Sequence, residues 1–345
     1  MKNLSAFAFL LCLAVSSCVT TPKNTLSGLK PEDFCAEVNG KPVSFYVLTN
    51  SSGMEVCVTD YGARILSVVV PDRDGKMNNV VVGFENIDAY LAKPNSYGAA
   101  IGRYANRIAG ASFTLDGMTY VLDKNSGENC IHGGSGGWRS QVYDVKKHDG
   151  STLVLTMDSP DGEMGFPGNV HAEVTYKVTE DNTLDISYAA VTDKPTVLNL
   201  TNHTFFNLSG SKDGKVGGHL LYVDADGCTP TRPDGVPTGE ILPVSSVGVD
   251  FREPRAVGGL FDLNMVLNRP GDLDRVAASL YAPENGIRME VRTDQPGLQL
   301  YSKETTVCLE TQLFPDSPNN PTWPSSVLRP GETYRHRCIY SFSID

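Results

Sequence analysis

The chain has 345 residues, with 29 Lys and Arg against 40 Asp and Glu and a formal net charge of −11. That balance leaves no basic stripe for phosphates and excludes nucleic acid as the main partner. Charged residues at 20% and hydrophobic residues at 40% exclude a disordered chain and leave ample material for a core. With Gly 33 and Pro 21, about one residue in six is a turn-former, a density suited to many short strands joined by turns.

Residues 1–18 read as a targeting segment. Lys2 gives the positive start, and residues 6–15 form an apolar run too short to span a membrane. Val15-Ser16-Ser17-Cys18 resembles a bacterial lipobox. The resemblance implies cleavage before Cys18 and a lipid on its sulfur, so that the chain is exported and faces the periplasm or cell surface. It would touch the membrane through that anchor only. Residues 19–29 lack periodicity and read as a tether. Residues 30–345 show no repeat and no shift in composition, so one domain is expected. The other cysteines beyond the signal are Cys35, Cys57, Cys130, Cys228, Cys308 and Cys338. They are widely spaced without a C-x-x-C, which disfavours zinc and suggests small buried hydrophobes.

The remaining chain is patterned almost entirely with period two. Residues 80–83 read as a short strand and 88–91 as a single helical turn. Residues 113–122 read as two strands around Asp116-Gly117, a strong hairpin signal. Residues 151–157, 170–178, 184–188, 287–291 and 298–301 read as further strands, and 258–262 as another helical turn. The fold class expected is all-β, a large antiparallel β-sandwich.

Three polar clusters interrupt this apolar pattern. They are Gly102-Arg-Tyr-Ala-Asn106-Arg107-Ile-Ala-Gly110 with Ile131-His132-Gly-Gly134, then residues 199–208 around Asn202-His203, and then residues 308–316 around Glu310. In strand geometry His203 shares a face with Thr201 and Phe205, and Glu310 with Cys308 and Gln312. A carboxylate there is costly to bury unless it is paired or faces a cleft.

These strings, with PTGE at 237–240, QPGLQLY at 295–301, CLETQ at 308–312 and LRPGETY at 328–334, resemble the aldose 1-epimerase, or galactose mutarotase, family. They follow the family's order and cover most of the chain from about residue 29. The resemblance implies a large β-sandwich, the galactose mutarotase-like supersandwich, with an open sugar cleft. It implies interconversion of the α and β anomers of free aldohexoses such as galactose and glucose. Opening a cyclic hemiacetal needs a base for the anomeric hydroxyl and an acid for the ring oxygen, but no metal or redox cofactor. A carboxylate and an imidazole suit that task near neutral pH.

By resemblance, Glu310 is the base, His203 the acid, and His132 a second histidine near the reacting oxygens. Asn106, Arg107, Asp262 and Gln299 fall at the family's sugar-binding positions. The family's usual Asp-His-Asn is Asp262-Leu263-Asn264 here, which puts the site's hydrogen bonding or sugar preference in question. The partner expected is a monosaccharide, and the chain is expected to be a monomer. The alternative, a non-catalytic carbohydrate-binding lipoprotein on the same fold, would not need both His203 and Glu310.

Other strings carry weaker signals. Gly133-Gly-Ser135-Gly-Gly137 matches a serine-hydrolase elbow in letters, but the sequence after it leads back into strand. The Asp-x-Asp-Gly strings at Asp72 and Asp224 lack a full calcium loop, so turns are expected and bound calcium is not indicated. Trp138, Phe314 and Trp323 are candidates for stacking on a sugar or for core packing.

Overall fold

In the computed structural model, residues 24–345 are described, and the expected signal, Cys18 and residues 19–23 lie outside them. Alternating burial explains why the strands form. Along Val170–Val178, Val170, Ala172, Val174, Tyr176 and Val178 are buried, while His171 and Lys177 are exposed. β-Branched and aromatic residues on such a half-buried pleat pack well against their cross-strand neighbours.

Nine strands form the largest sheet. Its order is Asp144–His148, Thr152–Ser159, Val170–Val178, Thr183–Thr192, Tyr334–Ile344, Ile287–Thr293, Ala278–Tyr281, Leu220–Val223 and Arg255–Ala256. Opposite it lie a four-stranded sheet over residues 45–79 and a five-stranded sheet. Three strands of the latter carry the argument below: β1 (Asp262–Leu267), β2 (Gly297–Lys303) and β3 (Thr306–Gln312). All named pairings in these three sheets are antiparallel.

One connected apolar core runs between the layers, joining Val56 and Ile65 to Leu155 and Ile186, and on to Met265, Leu298 and Leu309. Polar links cross it as well. Tyr176 Oη donates to the carbonyl of Ala63 at 2.5 Å, and Tyr340 Oη to that of Leu309 at 3.1 Å. The expected sandwich is therefore present, and the expected hairpin turns at Asp116-Gly117 between Ser112–Leu115 and Met118–Val121.

Two local expectations are corrected. Residues 80–83 do not form a strand, because the neighbouring strand ends at Asn79. Val80 still donates to Val68, but Val82 donates to Phe205, so the segment crosses from one partner to another while staying apolar. Residues 258–262 hold no helical turn. Asp262 opens β1, and Phe261 N–H donates to Ser302 Oγ of β2, so the segment extends along a strand instead. The helical turn near 88 is present as Ile87–Leu91, capped by the Asn86 side chain on Ala89 N–H.

Of the expected tether, residues 24–29 lie against the body. Glu55 Oε1 accepts from Leu26 and Ser27 N–H, and Thr25 Oγ1 donates to the carbonyl of Leu29. Cys57, Cys130, Cys228, Cys308 and Cys338 are buried thiols.

Candidate active site

The five-stranded sheet builds one wall of the site through its register. Asn264 on β1 lies opposite Gln299 on β2, which lies opposite Glu310 on β3. One row therefore carries three polar side chains on the face turned away from the core. The alternate residues Leu298, Leu300, Val307 and Leu309 join the core. Leu263 packs on that core side too, so the substitution noted in the sequence does not fall on the cavity wall.

The second wall is a two-stranded ribbon. Arg107 pairs with Ile131, and Asn106 and His132 bond reciprocally: His132 N–H donates to the Asn106 carbonyl, and Asn106 N–H donates to His132 Nδ1. Nδ1 is thereby an acceptor, which leaves the proton of the neutral ring on Nε2. Asn106 and His132 both hold positive φ, +60° and +53°, a conformation costly for residues with a Cβ and concentrated at functional sites. The buried Arg139 guanidinium holds this turn through the carbonyls of His132 and Gly134.

His203 enters from a third direction. Its N–H donates to Ala99 and its carbonyl accepts from Gly98, extending the short pairing of Thr201–Asn202 with Ala100–Ile101. Its ring stacks on Phe205 at 4.8 Å and 17°, in line with the shared face expected from the sequence, and meets His132 edge-on at 5.3 Å.

Together these walls enclose an open cavity of about 300 Å³, lined by Asn106, Arg107, His132, His203, Asp262 and Glu310 among others. His203 Nε2 stands 3.7 Å from Glu310 Oε1, while Glu310 Oε2 and His203 Nδ1 have no hydrogen-bond partner among the described residues. Arg107 Nη1 lies 3.9 Å from Asp262 Oδ2. Gln299 does not line the cavity; its Nε2 donates to Asp262 Oδ1 at 2.7 Å and so fixes that carboxylate from below.

Burial dominates the electrostatics. It pushes the Glu310 carboxyl well above the usual carboxylate range, and the nearby Asp262 charge adds to the effect. Burial lowers His203 to about 3, with a backbone hydrogen bond opposing the shift and the Lys303 charge reinforcing it. His132 is held well below the usual imidazole range by burial, then by His203, Arg139 and Arg107. An acid and a base therefore face each other with one proton between them.

The glycines of the hydrolase-like string serve packing. A Cβ on Gly133 would fall 2.0 Å from the Gly102 carbonyl oxygen, and φ there is +77°. Ser135 is exposed, and its Oγ meets Met164 Sδ at 4.0 Å, with no hydrogen bond to a histidine among the described residues. Gly133→Ala should cost on the order of 2 kcal/mol or more of stability, readable as a lower urea midpoint. It should also weaken sugar binding, because the His132 turn must shift. An unchanged midpoint would mean that the close approach is relaxed elsewhere.

The sequence reading missed several contributors. Trp138, Phe314 and Trp323 are packed away from the cavity, and Tyr97, Phe205 and Tyr301 take the wall instead, with Tyr97 stacked on Phe205 at 4.2 Å. Lys303 lines it too. Tyr301 and Lys303 follow Gln299 at period two on β2, so strand alternation alone could have found them. The Asn95–Tyr97 segment is held by the buried Arg64, which bonds Asn95 and the Tyr97 carbonyl. Nothing in the local sequence marks that role.

Acid–base chemistry in an open polar cavity, beside aromatic faces that can pack against a ring, suits an enzyme that acts on carbohydrate. The comparison with known proteins narrows this. The chain belongs to the aldose 1-epimerase family: the profile described as Aldose 1-epimerase matches residues 44–341. It is 34% identical over 334 residues to the aldose 1-epimerase of Escherichia coli K12, covering 88% of this chain and 96% of that protein. It is 34% identical over 319 residues to the galactose mutarotase of Sus scrofa, covering 85% and 92%. Among solved structures it resembles the GalM/aldose epimerase homologue from C. elegans, with TM-score 0.83, 28% identity, and 88% and 99% coverage. The chain is thus an isomerase of the mutarotase type, and its substrate is a sugar.

Proposed function

We propose that this enzyme interconverts the α and β anomers of free aldohexoses, galactose and glucose among them. The reading rests above all on the 3.7 Å approach of His203 Nε2 to Glu310 Oε1 at the cavity wall, with Glu310 Oε2 left without a partner. The sugar enters with its anomeric hydroxyl at Glu310 and its ring oxygen at His203. Sugar hydroxyls donating to Glu310 favour its ionised form, and an ionised Glu310 favours the imidazolium of His203. Glu310 then takes the anomeric proton while His203 delivers one to the ring oxygen, and the C1–O5 bond breaks. The aldehyde turns about C1–C2. Closure returns both protons by the reverse transfers, onto either face. Protons and electrons balance without a metal or redox cofactor.

His132, donating from Nε2, would orient the oxygens near the reacting centre. Asn106, Arg107 and Asp262 would hold ring hydroxyls, with Gln299 keeping Asp262 in place. Polarimetry on freshly dissolved α-D-galactose and α-D-glucose tests the activity: the purified protein should speed the decay to equilibrium rotation. No acceleration with any common aldose would overturn the reading.

The residues ahead of the described region carry a second part of the proposal. Residues 1–18 would direct export, Cys18 would carry the lipid, and residues 19–29, the last six of them laid against the body, would link it to a monomeric domain over 30–345. Anchored there, the enzyme would meet sugars released as single anomers outside the cytoplasm. Cys18→Ser should move the protein from the membrane fraction to the soluble fraction. Equal membrane association in both forms would sink the lipid assignment.

A further inference from the structure

We propose that the cavity also accepts sugars bearing a carboxylate on the exocyclic carbon, the hexuronic acids, and that Lys303 binds that carboxylate. The proposal rests on the placement of the anomeric hydroxyl at Glu310 and the ring oxygen at His203. Lys303 is the last residue of β2 and stands half-buried on the cavity wall. Its Nζ lies 5.0 Å from the Phe205 ring, 5.3 Å from Tyr97 and 5.7 Å from Tyr301. It donates to the Tyr97 hydroxyl at 3.4 Å. Among the described residues, no Asp or Glu forms an ion pair with it, whereas Arg107, the other cation of the cavity, has Asp262. Aromatic faces attract an ammonium ion but do not neutralise it. Lys303 therefore presents an uncompensated positive charge to whatever fills the cavity.

The chemistry of the ring says which substituent would meet that charge. The ring oxygen bonds two carbons. One is the anomeric carbon, whose hydroxyl goes to Glu310. The other carries the exocyclic carbon, which therefore lies beside the ring oxygen on the side away from Glu310. With the ring oxygen at His203, the exocyclic carbon lies near the side chains packed on His203, which are the His132 imidazole, edge-on at 5.3 Å, and two benzene rings, Phe205 at 4.8 Å and Tyr301 edge-on at 5.9 Å. Lys303 Nζ spans these same two rings.

A neutral hexose offers a hydroxyl to Lys303, and a hexuronate offers a carboxylate. A hydrogen bond charged on both sides is the stronger of the two. The other acids of the cavity do not forbid the anion, since Asp262 lies beside Arg107, and Glu310 and His203 share one proton and so carry no net charge in either arrangement.

The test compares kcat/KM for anomer exchange of D-galacturonate and D-galactose near neutral pH, by polarimetry or exchange NMR, with the purified full-length protein. The wild type should turn over both. Lys303→Met should lower the ratio of galacturonate to galactose by roughly 10- to 100-fold, mainly through KM, and Lys303→Arg should retain most of it. Galactose turnover without galacturonate turnover in the wild type would overturn this proposal alone. So would a ratio unmoved by Lys303→Met, which would make Lys303 a prop for the aromatic wall. No turnover of either sugar would overturn the epimerisation reading as well.

Discussion

Glu310→Gln should lower kcat by about 10²- to 10⁴-fold while sugar affinity changes only a few-fold. The amide has the size of the carboxyl and fills the same place on β3, opposite Gln299. It keeps most ground-state contacts but cannot take the anomeric proton. Only the transition state loses an interaction, so kcat and kcat/KM should fall together. Polarimetry at saturating sugar gives kcat, and titration calorimetry gives affinity. Stability gives an independent check. Glu310 is 2% exposed, with one oxygen unpartnered and its ionised form opposed by burial. The fold gains little from such a group, and the variant's urea midpoint should be equal to or above the wild type's. Full activity in Glu310→Gln would remove Glu310 from the base role. A large loss of stability would instead show that the carboxyl supports the fold.

The fold was legible because burial writes period two into each strand. Val170–Val178 can be read residue by residue from its alternating apolar side chains, and the Asp116-Gly117 turn from its chemistry. Where a segment is buried on both faces the pattern vanishes, and with it the ability to tell strand from crossing. Residues 80–83 are apolar because they pass between two partners, and nothing local distinguishes that from a ladder. The site was legible in its clusters, because titratable groups inside apolar runs are expensive and therefore stand out. His132, His203, Asp262 and Glu310 converge on one cavity from well-separated parts of the chain.

What could not be read locally was depth on one face of the sheet. Gln299 and Asp262 both belong to the polar face of the sheet, yet one lies below and the other on the wall, and this depends on how β1 and β2 pair. Arg64 supports the site through the carbonyls of Tyr97 and Arg139, distant in sequence, a role visible only after folding, whereas Arg139 acts on the nearby carbonyl of His132.

His203→Gln should reduce kcat by about 10²- to 10⁴-fold and change the shape of the pH profile. In the wild type the pair works with one proton in total. Burial places it on Glu310 in the empty site, with His203 neutral. That arrangement suits ring closure, in which Glu310 gives a proton to the aldehyde oxygen and His203 takes one from the C5 hydroxyl. Ring opening needs the opposite arrangement, so the two forms are alternating halves of one cycle, and the apparent pKa values belong to the pair. Activity should fall on the acid side as the pair takes a second proton, near the lowered His203 value of about 3. It should fall on the alkaline side as the pair loses its only proton, above the usual carboxylate range. Between these limits the rate should be level. Without His203, Glu310 titrates alone and must be ionised to act as base, so the residual rate of His203→Gln should climb with pH through the raised Glu310 value. A variant that kept the wild-type plateau would show that His203 carries no proton in the reaction, and the acid would have to be sought at His132 Nε2.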